Sequence, residues 1–392
     1  MSLIPPPLSL YVHMPWCVRK CPYCDFNSHG VRGTPEYERY VDVLLADMDA
    51  DLRDFGDAIG GRKIETVFFG GGTPSLFMPE LIARFLDGAR ERLPFAHGAE
   101  ITLETNPGTV EHGRFDGYLA AGVNRISFGV QSFDNDKLHR LGRIHSANEA
   151  ADAVRHAQDA GIENINIDLM YALPQQDLAG ALNDVDRAVA LSPTHISHYQ
   201  LTLEPNTAFA ANPPPLPDDD AAWGIQEACQ DRLADAGYAQ YEVSAYARGG
   251  RRCAHNLNYW RFGDYLGIGA GAHGKISDAT TVRRRWKTRL PAAYLAASGE
   301  AKRIGGDSIV EAADLPFEYM LNALRLIDGV PMADFTQRTG LNRSIIEPAL
   351  TQCLRKGWIE DDATLLRTTA LGQRFLNDVI EAFMEIAPTG EW

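Results

Sequence analysis

Leu8-Ser-Leu-Tyr-Val-His-Met14 leads through Pro15-Trp16 into Cys17-Val-Arg-Lys-Cys21-Pro-Tyr-Cys24. The apolar run Leu8–His13 is a strand candidate, and the loop after it carries three thiols within eight residues. Such thiols converge only if the chain wraps around something, and a metal or metal cluster is the chemistry that this spacing serves. Iron–sulfur cubanes normally take four thiolates, and structural zinc takes four ligands. Three cysteines on a cubane leave one iron with an open coordination position, so the spacing argues for chemistry more than for a staple. Two other readings compete. Zinc would need His13 or a distant cysteine as fourth ligand. A disulfide is opposed by an acidic chain with six cysteines and no secretory leader, which reads as cytosolic.

Working outward, 392 residues with 45% apolar content suffice for two or three domains and a sizeable core. A net charge of −15 argues against nonspecific nucleic-acid binding. No run approaches the roughly 18 apolar residues of a membrane span. Peripheral membrane contact and homodimer formation both stay open. Cys229, Cys253 and Cys353 are scattered singly and form no second cluster.

A helical period over Glu36–Asp54 follows the cysteine loop, and the strand–helix alternation then recurs. Strands are predicted at Glu65–Phe69, Glu100–Glu104, Arg125–Val130, Asn164–Met170 and His195–Leu201. Helices are predicted at Pro79–Leu93, Glu111–Ala121, Ala147–Ala160, Ala179–Leu191 and Asp219–Ala236, the last capped by Asp218-Asp-Asp220. This is an α/β pattern, a parallel sheet with helices outside, and six units make a partial (β/α)6 TIM-like barrel. Such sheets bind ligands at the carboxyl ends of their strands. There the sequence places the cysteines, Gly70-Gly71-Gly72-Thr73-Pro74, Glu104-Thr-Asn106, Gln131-Ser132, Asp168 and Gln200. Alone, the glycine run is a turn and the acids are ordinary strand-end residues. On one rim beside three cysteines they read as a site.

Cys-x3-Cys-x2-Cys directly after a first strand resembles the radical S-adenosylmethionine (SAM) superfamily, and the resemblance covers most of the chain. It implies a [4Fe–4S] cluster on Cys17, Cys21 and Cys24 whose open iron chelates SAM, and an electron donor for that cluster. Tyr11, in Tyr-Val-His-x-Pro-Trp-Cys17, and Gly70-Gly-Gly-Thr-Pro74 are similar to motifs of the branch related to oxygen-independent coproporphyrinogen III oxidase. On those motifs the resemblance implies SAM contacts from Tyr11, Gly71, Gly72, Thr73, Glu104, Gln131, Arg143 and Asp168. Chemically, Arg143 suits a carboxylate, while Glu104 and Asp168 suit an ammonium or ribose hydroxyls.

Past the stiff connector Asn212-Pro-Pro-Pro-Leu-Pro217, Tyr241–Tyr246 alternates like a strand and His255-Asn-Leu-Asn-Tyr-Trp260 follows. The latter is similar to a motif of the HemW heme chaperones. It implies heme as a bound cofactor, His255 as a contact and Cys253 as a weaker candidate, with acceptor hemoproteins such as respiratory enzymes as partners. Read from the residues alone, His255 is a hydrogen-bonded histidine under the barrel mouth, with Tyr259 and Trp260 in the core. Arg283-Arg-Arg-Trp-Lys287 reads as a solvated face or an anion contact. The chain then divides into a barrel (1–236), an extension with the HNxxYW motif (237–310) and a winged-helix-like α+β domain (311–392). In the last, helical periods at Pro316–Ile327, Met332–Thr339 and Ser344–Lys356 precede a hairpin at Trp358–Arg367 and a helix at Ala370–Phe383. From Glu311 onward it holds 13 acidic and 7 basic residues, a net of −6, which opposes duplex binding and suggests a lid or a protein-contact domain.

Three functions remain: a cytoplasmic heme chaperone that binds cluster, SAM and heme; a coproporphyrinogen III oxidase; and a barrel with a structural metal. The oxidases carry a further cysteine two residues after the third and a longer N-terminal region. Here Cys24 is followed by Asp25-Phe26, and about seven residues precede the first strand. Both departures, with His255–Trp260, favour the chaperone over a decarboxylating enzyme. Whether SAM is cleaved is left open.

Overall fold

The computed structural model describes residues 3–109, 114–297 and 302–384. Six parallel strands lie side by side in chain order: β1 (Leu8–Met14), β2 (Ile64–Gly71), β3 (Phe95–Thr105), β4 (Arg125–Gln131), β5 (Asn164–Tyr171) and β6 (His195–Gln200). Helices 37–59, 79–92, 114–121, 147–159, 178–190 and 219–235 follow them, close to the expected bounds. Residues 111–113 of the expected third helix lie outside the described residues, as do 385–392 at the end of the last domain.

Local chemistry explains the helix starts. Ser146 and Glu149 form a reciprocal capping box, and Asp177 and Asp218 accept backbone N–H bonds at the next two helices. Period two explains the sheet. In β4, Ile126, Phe128 and Val130 are completely buried toward the helices, while Arg125, Ser127, Gly129 and Gln131 alternate with them toward the lumen. Along β5, Asn166 and Asp168 are likewise lumenal between Ile165, Ile167 and Leu169.

Beyond β6 the sheet continues antiparallel through β7 (Ala239–Glu242) and β8 (Ala245–Ala247), two short strands where the sequence suggested one. On the other flank β9 (Asp264–Ile268) runs parallel to β1, followed by antiparallel β10 (His273–Ser277), β11 (Val282–Lys287) and β12 (Ile304–Ile309). The order is β12-β11-β10-β9-β1-β2-β3-β4-β5-β6-β8-β7.

Two expectations need correction here. The basic stretch 283–287 is neither a solvated face nor an anion site at its inward positions. Lys287 Nζ sits 2.7 Å from Asp47 Oδ1 and 2.8 Å from Asp51 Oδ1, and Arg285 Nη1 lies 2.9 Å from Asp51, so β11 is pinned to helix 37–59 by buried ion pairs. The C-terminal helices 315–323, 332–339 and 347–355 build a separate apolar cluster around Tyr319, Phe335 and Leu350 that also takes in Leu3, Phe262 and Val282. That cluster packs beneath helix 254–260, with Leu257 and Trp260 against it, and Ile327 N donates to Tyr241 O of β7. The domain therefore sits against the barrel floor and the β7 edge. A lid over the strand carboxyl ends is ruled out by that placement, because no residue beyond Arg289 lines the cavities at the mouth among the described residues. In the expected hairpin, Ile359 bridges Thr368 and the pair 330–331/365–366 adds a short ladder. The last helix is broken at Phe375 into 370–374 and 376–381. No described helix is long and apolar enough to cross a membrane.

Candidate functional site

At the carboxyl end of β1 the chain turns through Pro15-Trp16 into the cysteine loop, and the end of β2 docks onto that turn. Gly72 N donates to Met14 O and Thr73 N to Trp16 O, both at 2.7 Å. Side chains would not fit: a Cβ on Gly72 would stand 2.5 Å from Trp16 O, and one on Gly71, at φ +108°, 2.4 Å from the His13 ring. These glycines make room first for the chain itself. On the other side Gly142, at φ +70°, abuts Pro22, and Phe209 N donates to Pro22 O at 3.0 Å. Asn27 closes the loop by donating from Nδ2 to Ala270 O (2.9 Å) and Arg289 O (2.8 Å).

The three thiols face one cavity of about 150 Å³ that Gly71, Gly72, Thr73, Glu104, Gln131, Arg143 and Asp168 also line. Tyr11 lies just outside it, lining the two adjoining cavities. Arg143 Nη1 is 3.5 Å from Cys21 Sγ, its Nη2 donates to Gly129 O, and its buried Nε has no partner. Cys24 Sγ is 3.5 Å from Ser28 Oγ, and burial pushes the Cys17 thiol up from its ordinary pKa. Gln131 holds a left-handed φ of +72°. Backbone strain of this kind costs roughly 1–3 kcal/mol and clusters at ligand sites.

This donor set fits a cubane better than a single ion. Among the described residues no three His, Cys, Asp or Glu side chains gather around one point as a mononuclear site requires. His13 is no fourth ligand: its Nε2 donates to Asn27 O and its Nδ1 meets Tyr11 OH, both at 2.9 Å. A buried guanidinium with an unpartnered Nε, aimed past a thiol, suits the anionic groups of a cluster and an amino-acid carboxylate.

Two carboxyls share the lumen below. Asp168 accepts from Ser127 Oγ (3.0 Å) and Asn166 Nδ2 (2.8 Å), yet burial still raises its pKa. Glu104 Oε2 accepts from Gly71 N at 3.1 Å. Burial, with the charge of Asp168 adding to it, pushes Glu104 up to about 8, so it holds a proton at neutral pH in the ligand-free chain. An unfolded glutamate titrates near ~4.3. The folded state therefore binds the extra proton between the two values, and its stability falls as pH rises through that window. Ligand-free wild type should lose melting temperature relative to Glu104→Gln from about pH 5 to about pH 8, and the gap should then level off. Parallel melting profiles for the two proteins would refute the assignment.

His255 lies deeper, 1% exposed, in helix 254–260, which closes the barrel floor. Its Nδ1 is 2.7 Å from Thr66 Oγ1, its Nε2 is 2.8 Å from Tyr259 OH, and it stacks on Phe68. Glu100 accepts from the N–H groups of Ala254 and His255, capping the helix. Burial lowers the His255 pKa to about 3. Tyr259 lines the lumen, but Trp260 turns away and lies under Arg325 of the C-terminal domain. Cys253 is fully buried beside Glu100 and does not reach the mouth. The structure thus gathers the cysteines with the rim residues, sets His255 at the floor of the adjoining lumenal cavity that Tyr11, Cys24, Glu104 and Asp168 also line, and leaves Cys253 out of it.

Residues 11–186 match the Radical SAM superfamily and residues 310–375 match the HemN C-terminal domain. The Haemophilus influenzae heme chaperone HemW is 50% identical over 97% of this chain and 98% of its own length, and the Escherichia coli protein of that name is 49% identical with the same coverage. The chain belongs to the HemW family. A heme chaperone HemW from Mycobacterium tuberculosis is 36% identical over 83% of this chain and 84% of its own. Among solved structures, E. coli coproporphyrinogen III oxidase, HemN, superposes with a TM-score of 0.81 at 23% identity, covering 98% of this chain and 91% of that one. That likeness establishes the shared radical SAM fold. In this HemW family member the three cysteines, Gly71, Gly72, Thr73, Glu104, Gln131, Arg143 and Asp168 line one cavity at the strand ends, while the HNxxYW residues lie at the floor.

Sequence reasoning missed the residues that hold the others in place. Ser127 and Asn166 orient Asp168, His145 bridges Asn106 Oδ1 and Val130 O at 3.1 Å each, and Asn27 ties the cysteine loop to Ala270 and Arg289, just past the ends of β9 and β11. The signal was present for the first two. Polar residues at every second position of β4 and β5 mark a polar lumen, whereas Asn27 acts across 243 and 262 residues of chain and has no local signature.

Proposed function

We propose that this chain is a heme chaperone of the radical SAM type: it holds a [4Fe–4S] cluster on Cys17, Cys21 and Cys24, binds SAM against the adjoining rim, and carries heme to hemoproteins. One observation supports the reading above the rest, the single cavity that joins the three thiols to Gly71, Gly72, Thr73, Glu104, Gln131, Arg143 and Asp168. When bound, the cluster supplies one-electron chemistry and an iron with an open coordination position. Arg143 neutralises thiolate and carboxylate charge, Asp168 is set by Ser127 and Asn166 to accept from ligand donors, and Glu104 can release its proton when a cation arrives. Tyr11 walls the ligand space next to Glu104. The exposed Val18 and Phe26 leave the cysteine loop open to an electron donor from outside. The C-terminal domain, on the far side of the barrel with its acidic surface, suits contact with an acceptor protein.

Phe26 stands where the oxidases carry a further cysteine, which separates this reading from coproporphyrinogen decarboxylation. The test is anaerobic reconstitution with iron and sulfide, followed by titration with SAM and with hemin, beside an assay for conversion of coproporphyrinogen III. Stoichiometric cluster, saturable binding of both ligands and no conversion are expected. Turnover of coproporphyrinogen would place the chain with the oxidases, and zinc without sulfide would leave only a structural metal.

A further inference from the structure

The histidine of the HNxxYW motif is poorly placed to meet an iron. Both its ring nitrogens are already hydrogen-bonded, and it forms part of the barrel floor. The lumenal cavity it lines, about 450 Å³, carries Asp168 and Glu204 in addition to Asp25 and Glu104, which it shares with a neighbouring cavity, against a single arginine, Arg125. Two propionates would meet two more carboxyls there, Asp168 and Glu204, than in that neighbouring cavity.

A second cavity of about 520 Å³ opens between the β1–β2 rim and strands β10–β11. Small-molecule sites span roughly 300–1,000 Å³, and this one sets the rings of Tyr11, Phe26 and Trp286 beside the polar side chains of His13, Asp25, Asn27, Glu104, His273 and Arg289. His273 lines it with an exposed imidazole whose nitrogens make no hydrogen bond among the described residues, stacked on Trp286 at 6.2 Å and 19°. Burial, with Arg284 and Arg289 nearby, holds His273 below its ordinary pKa, which keeps the imidazole neutral as iron ligation requires. Arg289, also exposed and without an ion pair among the described residues, borders the same space. Phe26, 61% exposed, adds an unpartnered ring from the cysteine loop. His13, the remaining histidine of this cavity, has both nitrogens taken.

We propose that heme seats in this cavity, with His273 as axial ligand to the iron, Trp286 backing the imidazole, Phe26 against the ring and Arg289 meeting a propionate. The assignment rests on the heme-carrying reading above and places the cargo beside the cluster rather than on the floor motif. His255 then acts as a structural residue that holds β2 to helix 254–260.

Hemin titration of the full-length, cluster-reconstituted protein, followed by Soret absorbance and electron paramagnetic resonance, tests it. His273→Ala should weaken hemin binding at least about tenfold and change the ligand-field signature, with iron–sulfur content and SAM binding unchanged. Added imidazole should restore the wild-type spectrum, which a merely structural defect would not allow. Arg289→Ala should weaken binding severalfold without altering the spectrum. Wild-type affinity and spectrum in His273→Ala, or loss of the axial signature in a folded His255→Phe variant alone, would overturn the assignment and leave heme carriage intact. Failure of the wild type itself to bind hemin would remove both.

Discussion

Gly72→Ala is expected to strip the protein of its cluster. The added methyl would sit 2.5 Å from Trp16 O, 2.7 Å from Met14 O and 2.8 Å from Pro15 C, all backbone atoms that cannot rotate aside. Relief requires the ends of β1 and β2 to part, which breaks the Gly72–Met14 and Thr73–Trp16 hydrogen bonds. Overpacking costs about 1–3 kcal/mol, and each buried backbone group left unpaired costs about 1–3 kcal/mol more. Pro15-Trp16 leads directly into Cys17, and Thr73 lines the same cavity as the Cys17 thiol, so the displacement falls on the first cluster ligand. Iron and sulfide per chain after anaerobic reconstitution should drop at least severalfold while far-ultraviolet circular dichroism stays near wild type. Gly224→Ala is the control. It lies within helix 219–235 with open space around it, and there alanine should add about 0.5–1 kcal/mol of stability and leave the cluster untouched. A Gly72→Ala protein with full cluster content would show that the glycine run is only a turn.

The barrel was legible because each unit announces itself locally. Strands such as Asn164–Tyr171 are short and apolar on one face, and helices such as Asp219–Asp235 begin on a side-chain cap, so element type follows from sequence without knowledge of distant partners. The rim was legible for the same reason, since a strand's last residue is fixed once the strand is. What stayed hidden depends on residues far apart in the chain. Nothing near His273 or Trp286 shows that β10 and β11 fold back beside the cysteine loop, because β9 must first insert next to β1. His255 was ambiguous by chemistry rather than position. An imidazole in an aromatic motif fits heme and fits a hydrogen-bonded floor equally, and in the ligand-free chain it bonds Thr66 and Tyr259.

The same folding-back makes Lys287 the most consequential charged residue outside the site. It is 1% exposed, and its ammonium is shared by Asp47 and Asp51 one helical turn apart, with Tyr294 OH donating to the other Asp47 oxygen at 2.7 Å. Burial raises the Asp51 pKa, Lys287 opposes that rise, and the Asp47 charge adds to it. Lys287→Met removes the cation that the two carboxyls share: Asp51 keeps Arg285, 2.9 Å away, while Asp47 is left in a dry space with only the hydrogen bonds from Tyr294 OH and Gly269 N. Breaking a buried pair on one side costs about 3–5 kcal/mol, because the remaining charge has no compensation. Denaturation should therefore show a loss of that size. The loss should shrink on acidification: burial raises the folded-state pKa of Asp51, so without Lys287 that carboxylate destabilises the fold as pH rises and is harmless once protonated. Adding Asp47→Asn and Asp51→Asn to the Lys287→Met chain should return much of the stability at neutral pH, since neutral amides can pair without a cation. A loss below about 1 kcal/mol, or one that does not vary with pH, would mean that water reaches these groups and that β11 is held by its ladder alone. With β11 anchored by the ion pairs, Trp286 on its opposite face is held in position behind His273, so the triple variant should also recover hemin affinity lost in Lys287→Met.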